Sequence, residues 1–204
     1  MESKISKLIS LLFQPLLMPS LALLIMLQMP VYFAVVLPKE AKWILLGIVF
    51  FTTFFLPVTF ILFMVRRGMV RSLYIDSREE RTVPYGITVV FFILAYYLLK
   101  QLELSPVYSY FMIGAILLII VVFLINFFWK ISSHMAAVGA LTGLAIGLSY
   151  YLGMFFINLI VVALFISGLV GYSRLRLHAH TPAQVDAGFL LGALLEASIF
   201  IIYY

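Results

Sequence analysis

Three short polar clusters interrupt an otherwise apolar chain: Arg71 to Pro84, Lys130 to His134, and Ser173 to Asp186. They hold all three histidines of the protein and most of its arginines. They offer almost no paired carboxylates suited to magnesium or zinc, and the chain has no cysteine for a thiolate site or nucleophile. Cations set beside histidines suit an oxyanion substrate such as a phosphate monoester. Arginine forks bind phosphate oxygens in bidentate fashion. A neutral imidazole can attack phosphorus, and a second can protonate the leaving oxygen.

The second cluster reads Trp129-Lys130-Ile131-Ser132-Ser133-His134 and leads directly into an apolar stretch. Ser132 or Ser133 can cap a helix there, so that free amides and the helix dipole favour an anion at that end. The plainer reading is a capped helix start with an interfacial Trp-Lys anchor. In the third cluster, Thr181 has the place of an N-cap, Pro182 of the first helical residue and Gln184 of the third. That capping box sets His180 just outside a helix start. The plainer reading is a short basic loop with its histidines in headgroup water.

Ser173-Arg174, five residues, then His180 resembles the third signature of the type 2 phosphatidic acid phosphatase superfamily (Ser-Arg, five residues, His, three residues, Asp). Ser132-Ser133-His134 resembles the second signature, Pro-Ser-Gly-His. Arg71 to Pro84 lies where the first, Lys, six residues, Arg-Pro, belongs. The resemblance runs over residues 71–186. It implies a six-helix catalytic core and metal-free phosphoryl transfer through phosphohistidine, with no cofactor. His180 would be the nucleophile and His134 the general acid. Arg174 would hold phosphate oxygens, with Ser133 or its amide, while Ser132 keeps the family serine. Arg78, Arg81 and Lys130 would add positive charge. The substrate implied is a lipid phosphate or a polyprenyl pyrophosphate.

The chain departs from these signatures at named positions. Ile131 stands for the proline and Ser133 for the glycine of the second. In the first, Arg71 and Arg78 have the right spacing without the lysine or the following proline. Arg81 precedes Pro84 but has Tyr74 where the lysine belongs, which leaves Arg78 and Arg81 as alternatives. Gln184 replaces the aspartate that orients the nucleophile. Glutamine accepts a hydrogen bond from imidazole but adds no charge. In an analogous triad that exchange costs about four orders of magnitude in rate. Asp186 is no substitute, since on a helix it lies about 200° from Gln184.

These clusters need elements to hold them, and the composition says which. Of 204 residues, 65% are apolar and 10% charged, with 13 basic against 8 acidic side chains and a net charge of +5. A soluble globule has no way to hide that much apolar surface. A soluble enzyme, a disordered chain and a nucleic-acid binder are excluded. The expectation is an all-α integral membrane protein, a single domain over 1–204, bundled from six to seven transmembrane helices. Seven stretches are long enough, at about 20 residues per crossing: 8–36, 43–65, 84–100, 107–128, 133–152, 154–172 and 185–203. The first is overlong and carries Pro15, Pro19 and Pro30. No cleavage site follows the N-terminal polar residues, so the first stretch reads as a retained span.

If all seven cross, the three clusters share one membrane face. Most lysines and arginines lie there, and only Lys39, Lys42 and Lys100 on the other. The positive-inside rule leans towards a cytoplasmic site. The composition suits a bacterial inner membrane. Deep in the last span stands Glu196, either a functional carboxyl or one hydrogen-bonded near Ser198. Asn126 and Asn158 read as interhelical hydrogen-bonding groups, and Gly139, Gly143 and Gly147 as a close-packing stripe. The expected function is hydrolysis of a lipid phosphate or pyrophosphate. The alternative is a non-catalytic relative that binds phospholipid headgroups or assists another membrane protein. A transporter would want more polar groups at mid-membrane.

Overall fold

The computed structural model describes residues 2–69 and 79–203. Arg71 and Arg78, two of the expected cations, lie outside the described residues. What is described is helical, with no strand. In chain order the helices are α1 (Glu2–Leu12), α2 (Met18–Gln28), α3 (Tyr32–Val35), α4 (Lys39–Phe50), α5 (Leu56–Arg66), α6 (Thr82–Lys100), α7 (Pro106–Asn126), α8 (Ser133–Tyr151), α9 (Ile157–Arg176) and α10 (Pro182–Ile202).

Five helical stretches are long and apolar enough to cross a membrane: Lys39–Arg66, α6, α7, α9 and α10. Their outward faces carry exposed Phe60, Val90, Phe165 and Leu194. The inward faces bury Val49, Ala95, Met112 and Phe200. Apolar side chains on both faces are what lipid, rather than water, requires as solvent. The chain is an integral membrane protein.

Lys39–Arg66 is one rod with a defect in it. Between α4 and α5 the backbone widens into a π turn over Phe51–Phe55. Pro57, two residues beyond, explains the defect. It has no N–H to offer the Thr53 carbonyl, and its ring crowds that turn. The Thr52 hydroxyl bonds back to the Ile48 carbonyl at 2.6 Å within the same region.

The stretch 8–36 is not one helix. α1 ends at Leu12, and Gln14 is extended (φ −65°, ψ 135°) before Pro15. A 3-10 turn (Pro15–Leu17) then leads into α2. Met29 is again extended before Pro30. The residue preceding proline is pushed out of the α region, which is why both breaks fall one residue before a proline. α2 is only about 16 Å long at 1.5 Å per residue. It still runs through the interior, burying Leu23 and Met26. At its far end, Lys42 donates to the Leu27 carbonyl at 2.9 Å.

α8 is the central helix. More than half of its residues are buried, and among them are Gly139, Gly143 and Gly147. It packs along α10 more extensively than any other two helices pack together. The glycines account for that closeness from both sides. A Cβ at Gly139 or Gly143 would strike the Phe189 or Ala193 carbonyl on α10. A Cβ at Gly188 or Gly192 would strike the Ser132 or Ala136 carbonyl on α8. Two short side-chain-free surfaces facing each other let the backbones nearly touch. The stripe expected on α8 is thus half of a two-sided zipper.

Candidate active site

α8 and α10 run parallel and start side by side, so their N-termini open at one end of the bundle. Ser132 caps α8, its hydroxyl accepting from the Met135 N–H at 3.4 Å. Thr181 caps α10 through a full capping box with Gln184, with Pro182 in the first turn. The two caps are tied directly: the Ser132 N–H donates to the Gln184 carbonyl at 3.3 Å. The zipper therefore fixes the second cluster against the third. Both helix dipoles present their positive ends there.

His180 sits just before α10, buried to 8% exposure. Its Nδ1 donates to Gln184 Oε1 at 3.0 Å. The same oxygen accepts from the Thr181 N–H at 3.2 Å. Nδ1 therefore carries the proton and Nε2 keeps its lone pair, the form a nucleophile needs. Burial pushes the His180 imidazole down, to about 4 from the ordinary 6.5. The bond to Gln184 works against that, and the positive charges of Arg81, Arg174 and Lys130 add to it. His180 is neutral at physiological pH.

His134 is the second residue of α8. It lies within electrostatic reach of Arg174, His180 and Arg81. The five side chains Arg81, Lys130, His134, Arg174 and His180 thus gather at one end of the bundle, although the sequence separates them by up to about a hundred residues. Arg81 is buried at the entry to α6, and Arg174 is half-buried in the last turn of α9. Asp186 is exposed. His178 is exposed too. With φ 51° it makes the left-handed turn that ends α9, where the Ala179 N–H returns to the Arg174 carbonyl.

α1 closes over this site, and nothing in the sequence motifs announces it. Arg174 Nη1 donates to the Ser10 hydroxyl at 3.2 Å. The Ser10 hydroxyl meets the Ser173 hydroxyl at 2.8 Å, and Ser173 donates to the Ser6 carbonyl at 2.6 Å. His134 Nε2 donates to the Ser10 carbonyl at 3.2 Å. The only sequence signal was the four-residue spacing of Ser6 and Ser10, which places them on one face of a short amphipathic helix.

Below the histidines an apolar cleft runs into the bundle. Ser133 lines its upper part, Ala136 and Ala140 its side, and Pro19, Phe92 and Leu118 its walls. Glu196 lines it too, about 18 Å along α10 from Gln184. Glu196 is buried against Gly114, where an added Cβ would meet its carboxyl and displace it. Among the described residues neither carboxyl oxygen has a hydrogen-bond partner. Ser198, expected beside it, bonds instead to the Leu195 carbonyl. Asn126 is buried as expected of a bonding group between helices, but Asn158 is exposed near the opposite end.

No family model, curated protein or solved structure matches the chain.

Proposed function

We propose that the protein is a membrane-embedded lipid phosphate or pyrophosphate phosphatase that works through phosphohistidine, a divergent relative of the type 2 phosphatidic acid phosphatases. One observation carries the reading. A neutral histidine, its Nδ1 held by Gln184, stands among Arg81, Lys130 and Arg174 at the paired starts of two helices. The motif spacing of Ser173, Arg174 and His180 supports it independently.

In this reading α8 is a sixth crossing, less apolar than the others because it is enclosed by them. The broken segment around α2 makes a partial seventh. The membrane is the inner membrane of a bacterium. The lipid's apolar chain enters the cleft below Ser133, and its phosphate meets the cations at the interface. His180 Nε2 attacks phosphorus, and the bond from phosphorus to the leaving oxygen breaks. His134, which takes up a proton when the anionic phosphate binds beside it, gives that proton to the oxygen. Water then attacks the phosphohistidine, His134 takes a proton from it, and the P–N bond breaks to return neutral His180 and inorganic phosphate. Arg174, Arg81 and Lys130 hold the charge on the transferring group throughout.

Phosphate release by purified protein tests the proposal. The panel holds phosphatidate, phosphatidylglycerophosphate, a polyprenyl pyrophosphate and a lipid A-type phosphate, each with EDTA present. Release that persists in EDTA and disappears in His180→Ala is the expected result. Unchanged release from His180→Ala would overturn the mechanism. The neutral Gln184 favours one second reading, a headgroup-binding relative with the same cations and no turnover. A folded protein that binds phosphatidate without releasing phosphate from any of the panel would establish it.

A further inference from the structure

Ser10 engages two donors that the proposed reaction needs. Its hydroxyl takes the Arg174 guanidinium, where a phosphate oxygen would bind. Its carbonyl takes the His134 Nε2–H, where the leaving oxygen would accept a proton. A phosphate ester bound at the site would need both donors at once. α1 and substrate therefore compete for the same groups.

The helix is built to leave. Ser6 is its one buried residue among those whose side chains are described, and Ile9 is its one apolar side chain packed on the core, so little apolar area ties it to the bundle. Ile5, Leu8, Leu11 and Leu12 all point outward and are more than half exposed. Its packing is chiefly against the end of α9. The extended Gln14 and the following Pro15 separate it from the rest of the chain, so it can swing as a unit. What fastens it is the relay from Arg174 through Ser10 and Ser173 to the Ser6 carbonyl, plus the His134 contact.

We propose that α1 is an autoinhibitory cover that occupies the phosphate-binding groups of Arg174 and His134 and must swing away before substrate enters. The proposal rests on the phosphatase reading for what the site binds, but it can be tested apart from turnover. The chain has no cysteine. Ser10→Cys with Ser173→Cys therefore gives a single defined pair, at side chains whose hydroxyl oxygens are 2.8 Å apart. Two readouts are taken on this one protein. The first is release of phosphate from a panel substrate that the wild-type protein hydrolyses, before oxidation, after it, and after reduction. The second is the rate of disulfide formation with and without inorganic phosphate.

The cover predicts that oxidation abolishes release, that reduction restores it, and that phosphate slows the cross-link severalfold. If wild-type protein releases phosphate from none of the four panel substrates but inorganic phosphate still slows the cross-link, the phosphatase reading fails and the cover stands. If oxidised and reduced proteins are equally active, the cover is wrong and the phosphatase reading is untouched. If phosphate leaves the cross-linking rate unchanged, α1 does not compete for the site and the proposal falls. Ser10→Ala separates the cover from a positioning role. A cover loosened in this way lowers KM, whereas a lost positioning group lowers kcat.

Discussion

In the proposed mechanism, Gln184 sets how well His180 would work. Its Oε1 accepts from both the imidazole Nδ1 and the Thr181 N–H, so it fixes the tautomer as an aspartate would. It supplies no negative charge for the imidazolium that the proposed attack of Nε2 on phosphorus would create. Gln184→Asp should therefore raise kcat by an order of magnitude or more, in the direction of the triad comparison. A fall in kcat with the fold intact would show that the neutral amide is what this site needs. The pH profile follows from the same residue. His180 in the folded protein titrates near 4, not near 6.5, because it is buried and faces three cations. Activity should hold through pH 5 and fail only as the pH nears 4. The sign for stability is that the unfolded chain binds this proton before the folded one does. Folding stability contributed by this group therefore rises with pH between about 4 and 6.5. A kcat/KM profile with its acid limb at 6.5 or above would contradict the burial argument. Much of this was legible in residue order. The capping box, the Ser132 cap and the neighbourhood of His180 and Gln184 are all local, joining residues no more than four positions apart. The Ser10 contacts join residues more than a hundred positions apart, and no local pattern encodes them. The glycine that makes room for Glu196 was hidden for the same reason, and Ser198, the near neighbour in sequence, drew attention instead.

Among elements, the α8–α10 pair is the one that assembles the site. Its glycines let two helix starts meet closely enough for the Ser132 N–H to reach the Gln184 carbonyl. Gly192→Val should break this, since its Cβ would land on the Ala136 carbonyl and α8 backbone does not yield as a flexible side chain would. The expected cost is about 1–3 kcal/mol or more from overpacking. Stability and turnover should fall together, measured by thermal unfolding in detergent and phosphate release. Gly168→Ala on α9 is the control, since a Cβ there meets nothing. Equal stability of the two variants would mean that the helix contact is not tight. The expected stripe of glycines on α8 pointed to this packing. Its partners Gly188 and Gly192 lie in the last stretch, where they read only as apolar composition. The first stretch shows the opposite case. Its hydropathy reads as one long span, yet Pro15 and Pro30 break it, and α1 separates as a short amphipathic helix. Hydropathy averages over breaks that single prolines impose.

At the scale of the molecule, a bundle of apolar helices brings its polar chemistry to one end. Arg66, Arg81, Lys130 and Arg174 all stand at helix ends or in the joints between helices on that side. The opposite end carries Lys39, Lys42 and Lys100. The absence of native cysteine makes the crossing count measurable. Single cysteines at the exposed Met154 and at Ala179, joined by α9, should label from opposite sides with a membrane-impermeant maleimide. Labelling of both from the same side would remove α9 as a crossing and with it the layout of the site. Composition and hydropathy carried the all-helical membrane fold. α8 departs from the pattern in one respect: its glycines, alanines and polar residues make it the least lipid-like of the long helices, because its neighbours rather than lipid surround it.

The central claim is that phosphate passes through His180. The most direct measurement is to quench the protein during turnover of radiolabelled phosphatidate and look for phosphate on the chain. The account predicts a label stable to alkali and labile to acid, confined to the peptide containing His180, and absent from His180→Ala. Steady phosphate release with no such label, and at the same rate in His180→Ala, would contradict it.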